Sequence, residues 1–303
     1  MTIRFGVSPI AWINDDMPEL GADTALATVL GDARDLGFEG IELGGRFPRR
    51  ADELRTLLEG YDLDLIGGWY STSLLTRDSD AEIEAMEAHL ALLEAMGSTV
   101  FIAAECSNAI HGDRSAPLIR QPRAEDWPRF GERLTRIAEH VASRGFRFAY
   151  HHHLGTVVET PADIDAFLRH TNDVVGFVVD TGHAMLGGID AAALIRAQPA
   201  RVAHVHCKDV RDTIFADVKT HGRSFLDGVL AGMFTAPGDG SIDFGAMMQA
   251  LAAIGYSGWI VVEAEQDPAL ADPRTYSELG LATLREAAGR AGLLSLQTME
   301  RAP

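Results

Sequence analysis

Apolar positions along this chain follow two alternating rhythms. Short runs, apolar at successive or alternate positions, occupy residues 4–10, 40–43, 63–69, 99–105, 146–153, 175–180, 202–208 and 259–265, and this length and period predict strands. Between them, apolar residues recur every three or four positions, as at Ile83, Met86, Leu90 and Leu93 and at Trp127, Phe130, Leu134, Ile137 and Val141. That spacing predicts helices with one buried face. Gly97 and Gly145 stand where such helices would end in a left-handed residue. Thr160-Pro161-Ala162-Asp163 supplies a capping hydroxyl, a first-turn proline and an early acid. Glu82, Glu84, Glu87 and Glu94 are expected on a solvated helix face.

Eight strands alternating with eight helices predict an α/β protein whose parallel strands are covered on both faces, most simply a (β/α)8 TIM barrel. A doubly wound open sheet fits less well, because no Gly-x-Gly-x-x-Gly turn follows the first strand. No Pro/Gly/Ser-rich linker breaks residues 1–293, so one barrel domain is expected there, with 294–303 as a C-terminal tail. Helix-to-strand connections are short, whereas strand-to-helix connections are long, notably 10–21, 70–78, 106–126 and 209–240. In a barrel the long ones form the C-terminal face, where active sites lie.

Composition narrows the function classes. The chain has 303 residues, 47% of them hydrophobic, enough for a core of this size. A net charge of −18 opposes a phosphate-backbone partner, so no nucleic acid is expected. No apolar run is long enough to span a bilayer, and the first residues lack a signal-peptide pattern. Cys106 and Cys207 form no evident disulfide framework, in keeping with a reducing cytoplasm. Assembly into a homo-oligomer is left open.

The chemistry gathers at strand ends: Tyr150-His151-His152-His153, Val179-Asp180-Thr181-Gly182-His183, His204-Val205-His206-Cys207-Lys208-Asp209 and Val262-Glu263-Ala264-Glu265. Ionisable groups beside apolar strand cores are costly unless paired or bound to a metal. Side chains alternate across a strand, so His151 pairs with His153, His204 with His206 and Lys208, and Glu263 with Glu265. Two imidazoles and two carboxylates with open positions suit Mn²⁺, Co²⁺, Zn²⁺ or Fe²⁺ better than Ca²⁺. Any one of these histidines could equally be a core or supporting donor; the four strands together favour a metal site. Glu42 and Glu105 also end strands, as acids, bases or rim ion pairs. Trp12, Trp69 and Tyr70 could line a polyol-sized pocket or simply pack. The segment Pro237-Gly238-Asp239-Gly240 has the composition of a turn.

These stretches, with Gly6-Val7-Ser8-Pro9-Ile10-Ala11-Trp12, resemble the xylose-isomerase-like barrel enzymes that act on sugars and polyols, over nearly the whole chain. In that superfamily a Glu, an Asp, a His and a Glu hold the metal. Their positions fall on His151, Asp180, His206 and Glu263. His151 departs from the pattern, which leaves open whether it ligates, Glu159 substitutes, or fewer ligands serve; Glu263 against Glu265 is likewise open. The resemblance implies a hydro-lyase that converts a cyclic polyol ketone, a keto-inositol, to a trihydroxycyclohexane-dione through a metal-stabilised enediolate. It implies Mn²⁺ or Co²⁺, and a glutathione requirement. Glu265, Glu105 or His183 would be the base, and Lys208 or a histidine the acid. Trp12, Glu42, Trp69, His153 and Asp239 would bind substrate. Three other readings compete: an isomerase or epimerase on the same barrel, an abasic-site endonuclease, which the acidic charge opposes, and a non-catalytic polyol binder.

Overall fold

In the computed structural model, which describes residues 3–119 and 123–294, eight parallel strands close into a barrel. They are β1 (Ile3–Val7), β2 (Gly40–Leu43), β3 (Asp64–Thr72), β4 (Val100–Glu105), β5 (Arg147–His151), β6 (Val175–Asp180) and β7 (Val202–Cys207), followed, after a two-stranded ribbon of β8 (Asp209–Val210) and β9 (Phe234–Thr235), by β10 (Gly258–Val262). β10 joins β7 to β1 and so closes the ring. Every strand expected from the apolar runs is present, most with ends shifted by one to three residues.

The period of two separates the faces. Phe101, Phe148, Tyr150 and Phe177 turn outward into the main core with Phe167, each worth roughly 1.5–3 kcal/mol of burial. The alternate residues Ile102, Ala149 and Val178 form a small cluster inside. Between β6 and β7 the register shifts at Phe177/Val178, leaving Ala203 as an extra residue just before His204. Ile66, Trp259 and Val261 fill the lower interior. Gly6 and Gly40 make that filling possible, since a Cβ at either would press into Ile66 or Trp259 at 2.1 and 2.7 Å. The Arg4 guanidinium closes the floor, 4.0 Å over the Trp259 ring and bonded to Glu39 and Asp64.

Outside lie α1 (Leu26–Leu36), α2 (Ala51–Glu59), α3 (Ser79–Ala95), α4 (Trp127–Ser143), α5 (Pro161–His170), α6 (Thr181–Gly187), α7 (Ala191–Ala197), α8 (Asp212–Thr220), α9 (Phe225–Leu230), α10 (Phe244–Ala253) and α11 (Pro273–Arg290). The periodic residues of α3 and α4 face the core as expected, and Thr160 caps α5 in a reciprocal capping box with Asp163. Three findings differ from the sequence expectation. Eight helices become eleven among the described residues, because two helices join β6 to β7 and two more fill the segment after β7. Glu82 is buried rather than solvated, accepting from Tyr70 Oη (3.0 Å) and Ser73 N (3.1 Å) and pairing with Arg77. Tyr70 is thereby turned away from the barrel mouth. Of the expected tail, residues 295–303 lie outside the described residues. No helix of the described residues is long and apolar enough to cross a membrane.

A second apolar cluster sits over the barrel mouth. Met17 from the β1–α1 loop, Leu118 and Leu154 pack there with Val210, Val218, Phe225, Leu226, Val229, Met233 and Phe234 of the segment after β7. That segment is packed structure rather than an open loop.

Candidate active site

Asp180 ends β6 and caps α6: its Oδ1 accepts from His183 N at 2.9 Å. Its Oδ2 is thereby turned toward His151, at the end of β5, and His206, on β7, whose register partner it is. Glu263 follows β10 and is held beside β7 by its backbone N–H on Cys207 O, 3.1 Å. One ligand atom from each of His151, Asp180, His206 and Glu263 lies within 4.8 Å of the others, and all four residues are buried. His206 Nδ1 and Glu263 Oε2 are 2.7 Å apart but not aligned for a hydrogen bond, and neither these atoms nor Asp180 Oδ2, 3.8 Å from the same nitrogen, has an aligned hydrogen-bond partner among the described residues. Buried polar atoms are rarely left unsatisfied, and a divalent cation among them would satisfy all three. The donor set therefore fits a metal. Burial would raise both carboxyls, but His151 and Lys208 hold Asp180 below its usual range, and Lys208 and His206 hold Glu263 well below. Glu159, the alternative ligand, is not in this group. It accepts from Gly155 N at 2.8 Å, and burial pushes its carboxyl up to about 7.

Glu42, on β2, reaches across the barrel. Its Oε1 accepts from His204 Nε2 (2.9 Å) and His206 Nε2 (2.8 Å). Burial opposes its charge, but the two imidazoles outweigh burial and hold it at about 2.

Lys208 is wholly buried, its ammonium 3.0 Å from Glu263 Oε1, 2.8 Å from Glu265 Oε2 and 3.3 Å from His183 Nε2, and 4.4 Å over the Phe234 ring. Burial favours losing its proton; the surrounding carboxylates more than offset that, so it stays an ammonium. The run Asp180-Thr181-Gly182-His183 is built around it. Thr181 Oγ1 and the Lys208 backbone bond both ways, at 2.7 and 3.1 Å. A Cβ on Gly182 would come within 2.9–3.1 Å of the lysine stem.

His153 Nδ1 donates to Leu154 O at 2.7 Å, while Leu154 N donates to His183 Nδ1 at 3.2 Å. The two rings lie 3.7 Å apart, and burial keeps both well below the usual histidine range, hence neutral. His153 therefore carries its proton on Nδ1 and offers a lone pair at Nε2.

Above these groups an open cavity of about 770 Å³, part of it exposed to solvent, is lined by Glu42, Trp69, His151, His153, His206, Glu263 and Glu265, among others. Trp69 stands at its mouth, 5.3 Å from the His151 ring and 5.8 Å from that of His153. Glu265 keeps Oε1 buried without a hydrogen-bond partner among the described residues; burial raises its carboxyl despite the nearby Lys208. Lys208 and His183 lie behind this wall, not on it. Three expected site residues are elsewhere. Trp12 is buried outside the cavity, its Nε1 on Asp32 at 3.0 Å. Glu105 points to the outer face of β4 and organises the next loop through Thr72, Leu74 N and Ser107. Asp239 pairs with Arg211 and Thr235 inside the turn.

The cavity also holds residues not singled out from the sequence: Asp15, Asp16 and His111. Asp15 ties the β1–α1 loop to Gly45 N (2.9 Å). Asp16 stands at the mouth, partly open to solvent, and its carboxyl accepts no hydrogen bond from the described residues. Desolvation at the cavity wall, and then the charge of Glu265, push it up to about 6. The signal available was an acid pair in the long loop 10–21 of the C-terminal face.

A profile of the family described as xylose isomerase-like TIM barrel matches residues 30–287. The chain is 43% identical to the rhizopine catabolism protein MocC of Rhizobium meliloti, over 96% of this chain and 90% of that one. It is 38% identical to the inosose dehydratases of Geobacillus thermodenitrificans and Glaesserella parasuis, over 95% of this chain and 98% of each of theirs. Among solved structures, an L-ribulose 3-epimerase superposes over the full length of both chains with a TM-score of 0.65 at 20% identity. A D-psicose 3-epimerase of Clostridium cellulolyticum H10 gives 0.68 at 16%, covering 94% of this chain and 99% of that one. At those identities the structural likeness speaks to fold alone.

Proposed function

The chain belongs to the xylose isomerase-like TIM barrel family, and from that premise we propose that it is a hydro-lyase that dehydrates inosose to a trihydroxycyclohexane-dione. The observation that carries this reading is 38% identity to inosose dehydratases along 98% of their length. His151, Asp180, His206 and Glu263 would hold a divalent metal, for which two imidazoles and two carboxylates suggest Mn²⁺ or Co²⁺. When bound, it supplies Lewis acidity to the ketone and an adjacent hydroxyl.

The protein's own part is proton handling. Glu265, anchored by Lys208 through one oxygen, turns the other to the cavity as the base for the proton next to the carbonyl. The C–H electron pair becomes the C=C bond as the C–O bond to the β-hydroxyl breaks. Asp16, protonated below about 6, gives that hydroxyl its proton, so water leaves. His153 Nε2 accepts from a ring hydroxyl and fixes the ring, with Trp69 against its C–H face. Lys208 and His183 support the wall without touching substrate. The enol product tautomerises to the dione.

A second reading rests on the 43% identity to a rhizopine catabolism protein: a close relative of inosose could be the substrate. Incubating the metal-loaded protein with 2-keto-myo-inositol, with and without glutathione, and identifying products by NMR separates the alternatives. Dione and one equivalent of water support the proposal. An epimerised or isomerised ketose would overturn it, and turnover restricted to a related ketone would favour the second reading.

A further inference from the structure

Glu42 was expected to touch substrate, and it does line the cavity, but its contacts tell of another task. One of its oxygens, Oε1, is shared by His204 Nε2 and His206 Nε2 at 2.9 and 2.8 Å, with all three side chains nine-tenths or more buried. A carboxylate can only accept, so both imidazoles must carry a proton on Nε2. For a neutral His206 ring that leaves the lone pair on Nδ1, the nitrogen facing Glu263 Oε2 at 2.7 Å and Asp180 Oδ2 at 3.8 Å. His204 approaches the same oxygen, so the carboxylate is braced by two donors and fixed in direction.

We propose that Glu42 is a positioning residue for the metal centre, holding His206 in the tautomer and orientation that present Nδ1 to a divalent cation. A carboxylate behind a ligating imidazole fixes the ring and makes it a stronger donor. The trio Glu42, His204 and His206 could itself be taken for a cation site. Its polar atoms at Glu42 Oε1 are already satisfied by two N–H donors, so no second ion is inferred. The proposal rests on the metal centre read above.

Zn²⁺ serves as a diamagnetic probe. Metal-stripped wild type and Glu42→Gln, matched in size, are titrated with Zn²⁺ against a chromophoric chelator, with circular dichroism as the folding control. Glu42→Gln is expected to bind Zn²⁺ about 10- to 100-fold more weakly. In Zn²⁺-loaded wild type, long-range proton–nitrogen correlation spectra of the histidine rings should show His206 protonated at Nε2 and metal-bound at Nδ1. Equal Zn²⁺ affinity in the two proteins, with a raised KM in the variant, would make Glu42 a substrate contact and overturn the proposal. So would a His206 ring protonated at Nδ1, a result that decides the matter in wild type even if Glu42→Gln fails to fold. Failure of wild type to bind Zn²⁺ would instead overturn the metal centre itself.

Discussion

Asp180 uses its two oxygens differently, Oδ1 as the cap of α6 and Oδ2 as a candidate ligand. Asp180→Asn keeps a cap acceptor but replaces the second oxygen with an amide. Dione formation should fall more than about 100-fold with far-UV circular dichroism unchanged; near-full turnover in this variant would remove Asp180 from the metal centre. Asp16 makes a prediction in pH. A general acid must carry its proton, so with its carboxyl near 6, kcat/KM should decline as pH rises through about 6. Asp16→Asn should lose that limb and about 10²- to 10⁴-fold in rate. A limb that persists unchanged in Asp16→Asn would assign it to another group. Residue identity was readable where strand parity applied. His151, His206 and Glu263 share the inner face of their strands, and Lys208 follows the parity of His206. The same parity, followed along β4 from inward Ile102, would have turned Glu105 outward, where it lies. Trp12 and Asp16 sit in a loop, where no period tells one side chain's direction from the next.

The ribbon β8–β9 shows what a linear reading misses at the scale of elements. Its anchor is Asp209, whose carboxylate accepts from Val210 N (2.8 Å) and from Gly238, Gly240 and Ile242 N (3.0 Å each). Three of those partners lie 29–33 residues downstream, a contact no local pattern encodes. Gly238 has φ +95°, and a Cβ on Gly240 would strike Asp209 at 2.4 Å, so the glycines of Pro237-Gly238-Asp239-Gly240 serve this junction. The ribbon in turn sets Phe234 against His183 and Lys208. Asp209→Ala would remove the acceptor shared by four N–H groups, of which that of Val210 is buried and would cost about 1–3 kcal/mol if left unsatisfied. A lowered urea midpoint and faster amide exchange at Gly238, Gly240 and Ile242 are expected; an unchanged midpoint would deny Asp209 this role. Glu82 departs from the expected solvated face for a related reason. Its place among surface acids of α3 is legible, but not the Tyr70 hydroxyl and Ser73 amide that draw it inward.

For the whole molecule, the barrel was legible because its rules are repetitive: eight apolar runs, intervening helical periods and long connections on one face. The cap over the mouth was not, since its apolar residues come from five separate connections and follow no common period. Metal binding should couple to the stability of the entire barrel, because β5, β6, β7 and β10 each contribute or adjoin a proposed ligand. Cation at about 100 times its Kd adds roughly 2.7 kcal/mol, which for a chain of this length should raise Tm by about 4 °C. The same titration of Asp180→Asn should give little shift; an equal shift there would place the stabilising ion elsewhere.

The most direct test of the account is to strip the protein of metal, restore Mn²⁺ or Co²⁺ in measured fractions, and follow dione formation from inosose against bound metal. The rate should rise in proportion to bound metal and level off at about one ion per chain, with negligible turnover at zero. Full dione formation by the metal-free protein, or a rate indifferent to metal content, would contradict it.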